Sequence, residues 1–87
     1  MSTYLVLVMR TPHFDAAVIE PHRQFLRSLR ERGQLRDSGR FTDGTGGAYV
    51  IYAENLDAAR AIAFTDPVHT TASSELTVHE WEITTPH

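Results

Sequence analysis

Apolar and polar positions divide the chain into a short series of regular segments. Tyr4-Leu5-Val6-Leu7-Val8-Met9 is an unbroken apolar run, the pattern of a strand buried on both faces. Arg10-Thr11-Pro12 ends it, because the proline ring pushes Thr11 out of helical geometry. Phe14 to Ile19 reads as a loop with one helical turn. A helix is predicted from Glu20-Pro21, since proline suits the start of a helix and disrupts its interior. His22, Phe25, Leu26 and Leu29 then follow at spacings of three, four and seven, one helical stripe, and Gly33 closes the segment.

Leu35 to Phe41 reads as a shorter, more polar strand in which Gly39 marks a bulge or a close approach by another group. Thr42 to Gly47 has the composition of a hairpin turn. A strand follows it, so the helix N-terminus that phosphate loops exploit is missing. Ala48 to Ala53 is a second strand apolar on both faces. Asn55 caps a second helix whose inward stripe is Leu56, Ala59, Ile62 and Ala63. That helix stops before Asp66-Pro67, and a short turn carries Val68 and His69. The last strand runs from about Glu75 to Ile83, with a change of apolar parity between Val78 and Trp81 that predicts a bulge or a change of surroundings. Residues 84–87 are expected to form a loose tail.

The order is β-α-β-β-α-β, a ferredoxin-like α+β fold with a four-stranded antiparallel sheet and its helices on one face. Because two strands are apolar on both faces, the uncovered side of the sheet predicts a partner, most simply a homodimer packed sheet to sheet.

Composition narrows the function classes. At 87 residues the chain is one domain, 1–87, near the lower limit for a self-sufficient core, which again favours a partner subunit. A net charge of −3 gives no electrostatic footprint for nucleic acid. Arg23, Arg27, Arg30, Arg32 and Arg36 gather around the first helix, but Glu20 and Glu31 interrupt them and no aromatic residues interleave; they read as a solvated face. Without cysteine, disulfides and thiolate chemistry are excluded. The first apolar run is too short to span a membrane and lacks signal-peptide features, so a soluble cytoplasmic protein with no membrane partner is expected.

Connectivity brings candidate chemistry to one end of the domain. If the first strand runs upward, the first helix starts at the top, the second strand ends there, and the second helix ends there too. His22, Ser38-Gly39-Arg40, Arg10 and Asp66 therefore share that end. A carboxylate on one imidazole nitrogen fixes the tautomer and raises basicity, leaving the other nitrogen to move protons. His22 is thus a candidate base and Asp66 its orienting partner. Ser38 can supply a hydrogen bond or a nucleophile, although no G-x-S-x-G elbow surrounds it. Arg10, Gly39 and Arg40 form the expected substrate-binding set, the guanidinium forks suiting an anionic substrate. Plainer roles compete: His22 as a core residue, and Asp66 as the N-cap of the turn at Val68-His69. The two Asp66 roles are compatible if one oxygen caps while the other receives the imidazole. His13, His69 and His79 lack metal-ligand spacing, so neither metal nor cofactor is expected. Trp81 and the tyrosines read as core or dimer contacts.

Ser38-Gly39-Arg40-Phe41, the Asp43-Gly44-Thr45-Gly46-Gly47 turn, the helix start Asn55-Leu56-Asp57-Ala58-Ala59-Arg60, and Asp66-Pro67 resemble, in order and spacing, the YCII-related (YciI-like) family. The resemblance covers nearly the whole chain. It implies a dimeric α/β barrel made of two ferredoxin-like units, with a His–Asp site that maps onto His22 and Asp66. A related branch removes chloride from chlorinated aromatic diols, and muconolactone isomerases share the architecture. The expected function is a small cofactor-free enzyme that moves protons on an aromatic or lactone-like metabolite, by isomerisation, elimination or hydrolysis. The alternative is a non-catalytic metabolite-binding module. The chain departs from the family pattern at Arg40 and Glu80, where proline is usual, and at Ala72, where a glycine often stands.

Overall fold

The computed structural model describes residues 1–84; residues 85–87, most of the expected tail, lie outside the described residues. The elements in order are β1 (Ser2–Arg10), a 3₁₀ turn (Ala16–Val18), α1 (Ile19–Glu31), β2 (Leu35–Arg40), β3 (Gly46–Ala53), α2 (Leu56–Ala63), α3 (Pro67–Thr70) and β4 (Ser74–Glu80). The strands form one sheet in the order β2-β3-β1-β4, antiparallel at every pairing. This is the ferredoxin-like α+β arrangement that the pattern predicts.

Local chemistry sets the boundaries. Asp15 caps the 3₁₀ turn, its Oδ1 accepting from the Ala17 amide at 2.9 Å. With α1 opening at Ile19, Pro21 falls in the first turn, where its missing N–H leaves no intrahelical bond unmade. At the other end Gly33 takes a φ of 71°, and the amides of Gly33 and Gln34 turn back to the carbonyls of Arg30 and Leu29 at 3.0 and 2.8 Å. That pair of bonds is a Schellman closure. Asn55 caps α2, accepting from the Ala58 amide at 2.8 Å.

Three expectations need correction. The irregularity in β2 lies between Leu35 and Asp37, not at Gly39, and a Cβ on Gly39 would meet nothing within 4 Å. The close approaches belong to Gly46 and Gly47, where a Cβ would collide with the carbonyl oxygens of Val8 and Gly39 respectively. In β4 the pairing with β1 runs unbroken from Tyr4↔Glu80 to Arg10↔Ser74, so no bulge interrupts it. The strand simply ends at Glu80, and the parity change falls beyond that end, where the Trp81 amide still reaches the Thr3 carbonyl at 3.0 Å. Finally, the second face of β1 and β3 is only partly buried within one chain. Tyr4, Val6 and Val8 of β1 are buried together with Tyr49 and Ile51 of β3, against Leu29 of α1 and the small Ala59 and Ala63 of α2. Register puts Leu5 opposite Val50 and Leu7 opposite Ala48, on the other face, where Val50 is buried and Leu5, Leu7 and Ala48 stay half-buried. Among the described residues, no helix is long and apolar enough to cross a membrane.

Candidate active site

Chain direction alone gathers the ends of β1 and β2, the start of α1 and the entry to α3 at one edge of the sheet. There His22, the fourth residue of α1, places Nδ1 2.9 Å from Asp66 Oδ1. Asp66 is fully buried, whereas the His22 side chain keeps about a fifth of its surface exposed (22%). The carboxylate has three donors. Oδ1 accepts from His22 and also, at 3.1 Å, from the Val68 amide, which makes Asp66 the N-cap of α3. Oδ2 accepts the phenol of Tyr49 at 3.1 Å. The expected division of labour between the oxygens is therefore different: one oxygen both caps and receives the imidazole, and the second is held by a tyrosine. A carboxylate only accepts, so with Asp66 ionised the bond requires the proton on His22 Nδ1, and in the neutral imidazole Nε2 then keeps its lone pair.

Tyr49 is the residue that sequence reasoning missed as part of this constellation. Its ring lies 6.2 Å from that of His22 and 6.4 Å from that of Phe25, centroid to centroid. Burial first, then the charge of Asp66 and the bond to it, push the phenol well above its ordinary value of 10.0, so it stays a donor. A signal for it was present. Tyr49 shares strand parity with Ile51 on the helix-covered face, and a buried phenol needs an acceptor.

His22 opens onto a cavity of about 360 Å³, a size suited to a small metabolite. Arg10, Ser38, Gly39 and Arg40 all stand on its wall with His22; Asp66 sits behind His22 instead. Ser38 pairs with Tyr49 and Arg40 with Gly47 across the β2–β3 ladder, so both side chains share the helix-covered side of the sheet. Gly47 contributes no side chain to the floor between Arg40 and Val8, which keeps that floor low. Arg10 lies over the Phe14 ring, its Cζ 4.1 Å from the centroid, a cation–π contact that orients the guanidinium. Among the described residues Ser38 makes no hydrogen bond to His22, whose side-chain bond goes to Asp66. Arg23 and Ser74 also line the cavity and were not anticipated there. Two further histidines are engaged elsewhere: His69 stacks on Phe64 at 4.5 Å and His79 bonds Thr77 at 3.2 Å.

The YCII-related domain model matches residues 2–82 of this sequence. The chain belongs to the YCII-related family. An uncharacterised relative, YjpA of Bacillus subtilis (strain 168), is 45% identical over 83 residues, which span 95% of this chain and 98% of YjpA. Among solved structures, this YCII-related chain is similar in fold to 5-chloro-2-hydroxyhydroquinone dehydrochlorinase (TftG) from Burkholderia phenoliruptrix AC1100, in complex with 2,5-dihydroxybenzoquinone. The TM-score is 0.68 at 17% identity, covering 92% of this chain and 93% of that one. At that identity the likeness carries the fold alone.

Proposed function

We propose that this YCII-related protein is a cofactor-free, cytoplasmic, homodimeric enzyme that moves protons on a small metabolite, with His22 as its base. The observation that supports this reading is the 2.9 Å bond from His22 to a fully buried carboxylate, made by a histidine on a cavity wall. In the proposed step Nε2 takes a proton from the bound substrate, and the imidazolium that forms is stabilised by Asp66 through Nδ1–H. The electron pair left behind passes to a substrate oxygen, which Arg10, Arg40 or the Ser38 hydroxyl receives. Return of the proton to another carbon completes an isomerisation; departure of a leaving group completes an elimination. The Gly39 backbone shapes the wall beside these groups. That a dehydrochlorinase solved with a small quinone shares the fold lends weight to small-molecule chemistry on such a fold.

The test is turnover across a panel of lactones and substituted phenols, followed by the same assay on His22→Ala. General acid–base catalysis contributes about 10²–10⁴-fold, so kcat/KM should fall by about that factor while the circular dichroism spectrum is unchanged. A variant that unfolds would place His22 in a structural role. Ligands bound but never converted would assign the cavity to a binding module.

A further inference from the structure

A second groove adjoins the cavity. It encloses about 220 Å³ and is lined by Arg23, Leu26, Arg27, Arg30, Leu35 and Ser38. Arg23, Leu26 and Ser38 line both spaces, so the two are continuous along α1. The combined cleft carries Arg10, Arg23, Arg27, Arg30 and Arg40, and no Asp or Glu stands on either wall.

That concentration is unusual for a chain of net charge −3. Among the described residues the pairs within 4.0 Å are His22–Asp66 and Arg36–Asp37, and none of the five cleft arginines is engaged in one. Arg23, Arg27 and Arg30 follow at helical spacings of four and three, so their side chains stack on one face of α1. Like charges at those spacings repel. Glu20 and Glu31 stand one turn from Arg23 and Arg27 but outside the groove, and neither pairs with them within 4.0 Å, so the three guanidinium groups beside Leu26 and Leu35 keep their donors for a ligand. An anion lying among them would gain, because charge-assisted bonds to a carboxylate or phosphate are strong and the fork geometry fits both.

We propose that the cleft takes an elongated, doubly anionic small molecule. Its reacting end lies beside His22 between Arg10 and Arg40, and a second oxyanion group, carboxylate or phosphate, lies in the groove along Arg23, Arg27 and Arg30. This rests on reading the cavity as a substrate site, and not on His22 being catalytic. Arg27 and Arg30 set specificity for the tail and take no part in proton transfer.

Four aromatic probes test it in low salt: benzyl alcohol, benzoate, terephthalate and carboxybenzyl phosphate, each titrated into the full chain and followed by amide chemical shifts. Benzoate should shift Gly39, Gly47 and their neighbours, and neutral benzyl alcohol should not. One or both two-headed probes, terephthalate with two charges and carboxybenzyl phosphate with nearly three, should bind at least about ten-fold tighter than benzoate, the factor expected from one added charge-assisted contact. Tighter binding by terephthalate assigns a carboxylate tail; tighter binding by carboxybenzyl phosphate assigns a phosphate. In the double variant Arg27→Gln, Arg30→Gln that advantage should vanish, with benzoate affinity kept and thermal stability equal to or above that of the parent. Equal binding by neutral and anionic probes, or a two-headed advantage that survives the double variant, would overturn the proposal, as would no binding at all. His22→Gln separates the two readings: probe affinity kept with turnover lost supports both, and probe affinity kept with turnover unchanged removes only the base.

Discussion

At the scale of single residues, the clearest consequence of the sequence lies next to the site. Ala72 takes a φ of 58°, in the left-handed region where a Cβ crowds its own backbone. Glycine often stands at this place in the YCII-related pattern, so the chain carries a strain that the pattern avoids. Ala72→Gly should raise stability by about 0.5–1 kcal/mol in urea denaturation, the relief of strain outweighing the added freedom of the unfolded chain. Tyr49 gives a prediction in pH. Its folded-state pKa is raised, so folding holds the phenol proton more tightly than the unfolded chain does. The resulting stabilisation is fully present below the ordinary phenol value of 10.0 and is lost as pH rises beyond it. Tyr49→Phe should therefore flatten the alkaline limb of the stability profile while lowering stability at neutral pH, since Asp66 Oδ2 loses its donor. An alkaline limb as steep as that of the parent would show that the bond carries no such weight.

Among the elements, what was legible in the sequence was whatever periodicity and caps encode. The stripe from His22 to Leu29, the Gly33 closure, the Asn55 cap and the Asp66-Pro67 stop each fix a boundary by local chemistry, and connectivity then determines which ends meet. Backbone proximity between strands is not encoded locally. Gly39 therefore drew attention inside its strand, although the tight contacts fall on Gly46 and Gly47, whose neighbours lie on other strands. For the same reason Tyr49 passed as core: its bond to Asp66 joins residues 17 positions apart. Gly46→Ala or Gly47→Ala should cost about 1–3 kcal/mol, because backbone carbonyls must move, whereas Gly39→Ala should stay within about 0.5 kcal/mol. Matched denaturation curves of the three variants read this order directly.

For the molecule as a whole, the open sheet face is the feature that one chain leaves unresolved. Leu5, Leu7, Met9, Ala48 and Tyr52 are only half-buried on a face without helices. The proposed homodimer would cover them, adding apolar burial that an 87-residue domain needs. Sedimentation should show a dimer for the native chain. Leu7→Glu should shift it toward monomer and lower the melting temperature in a concentration-dependent way. A monomer at all concentrations in the native chain would contradict the proposed assembly while leaving the site intact, since His22, Asp66 and Tyr49 belong to one chain.

The proton transfer proposed for the site depends on Asp66 fixing His22 with Nε2 as the free base. Proton–nitrogen correlation spectra of the full chain, with His22 assigned by its loss in His22→Gln, report which ring nitrogen bears the proton in the neutral imidazole. The bond to Asp66 requires a protonated Nδ1 and a bare Nε2. A proton on Nε2 with Nδ1 bare would contradict it, because the nitrogen beside the buried carboxylate would then have nothing to donate.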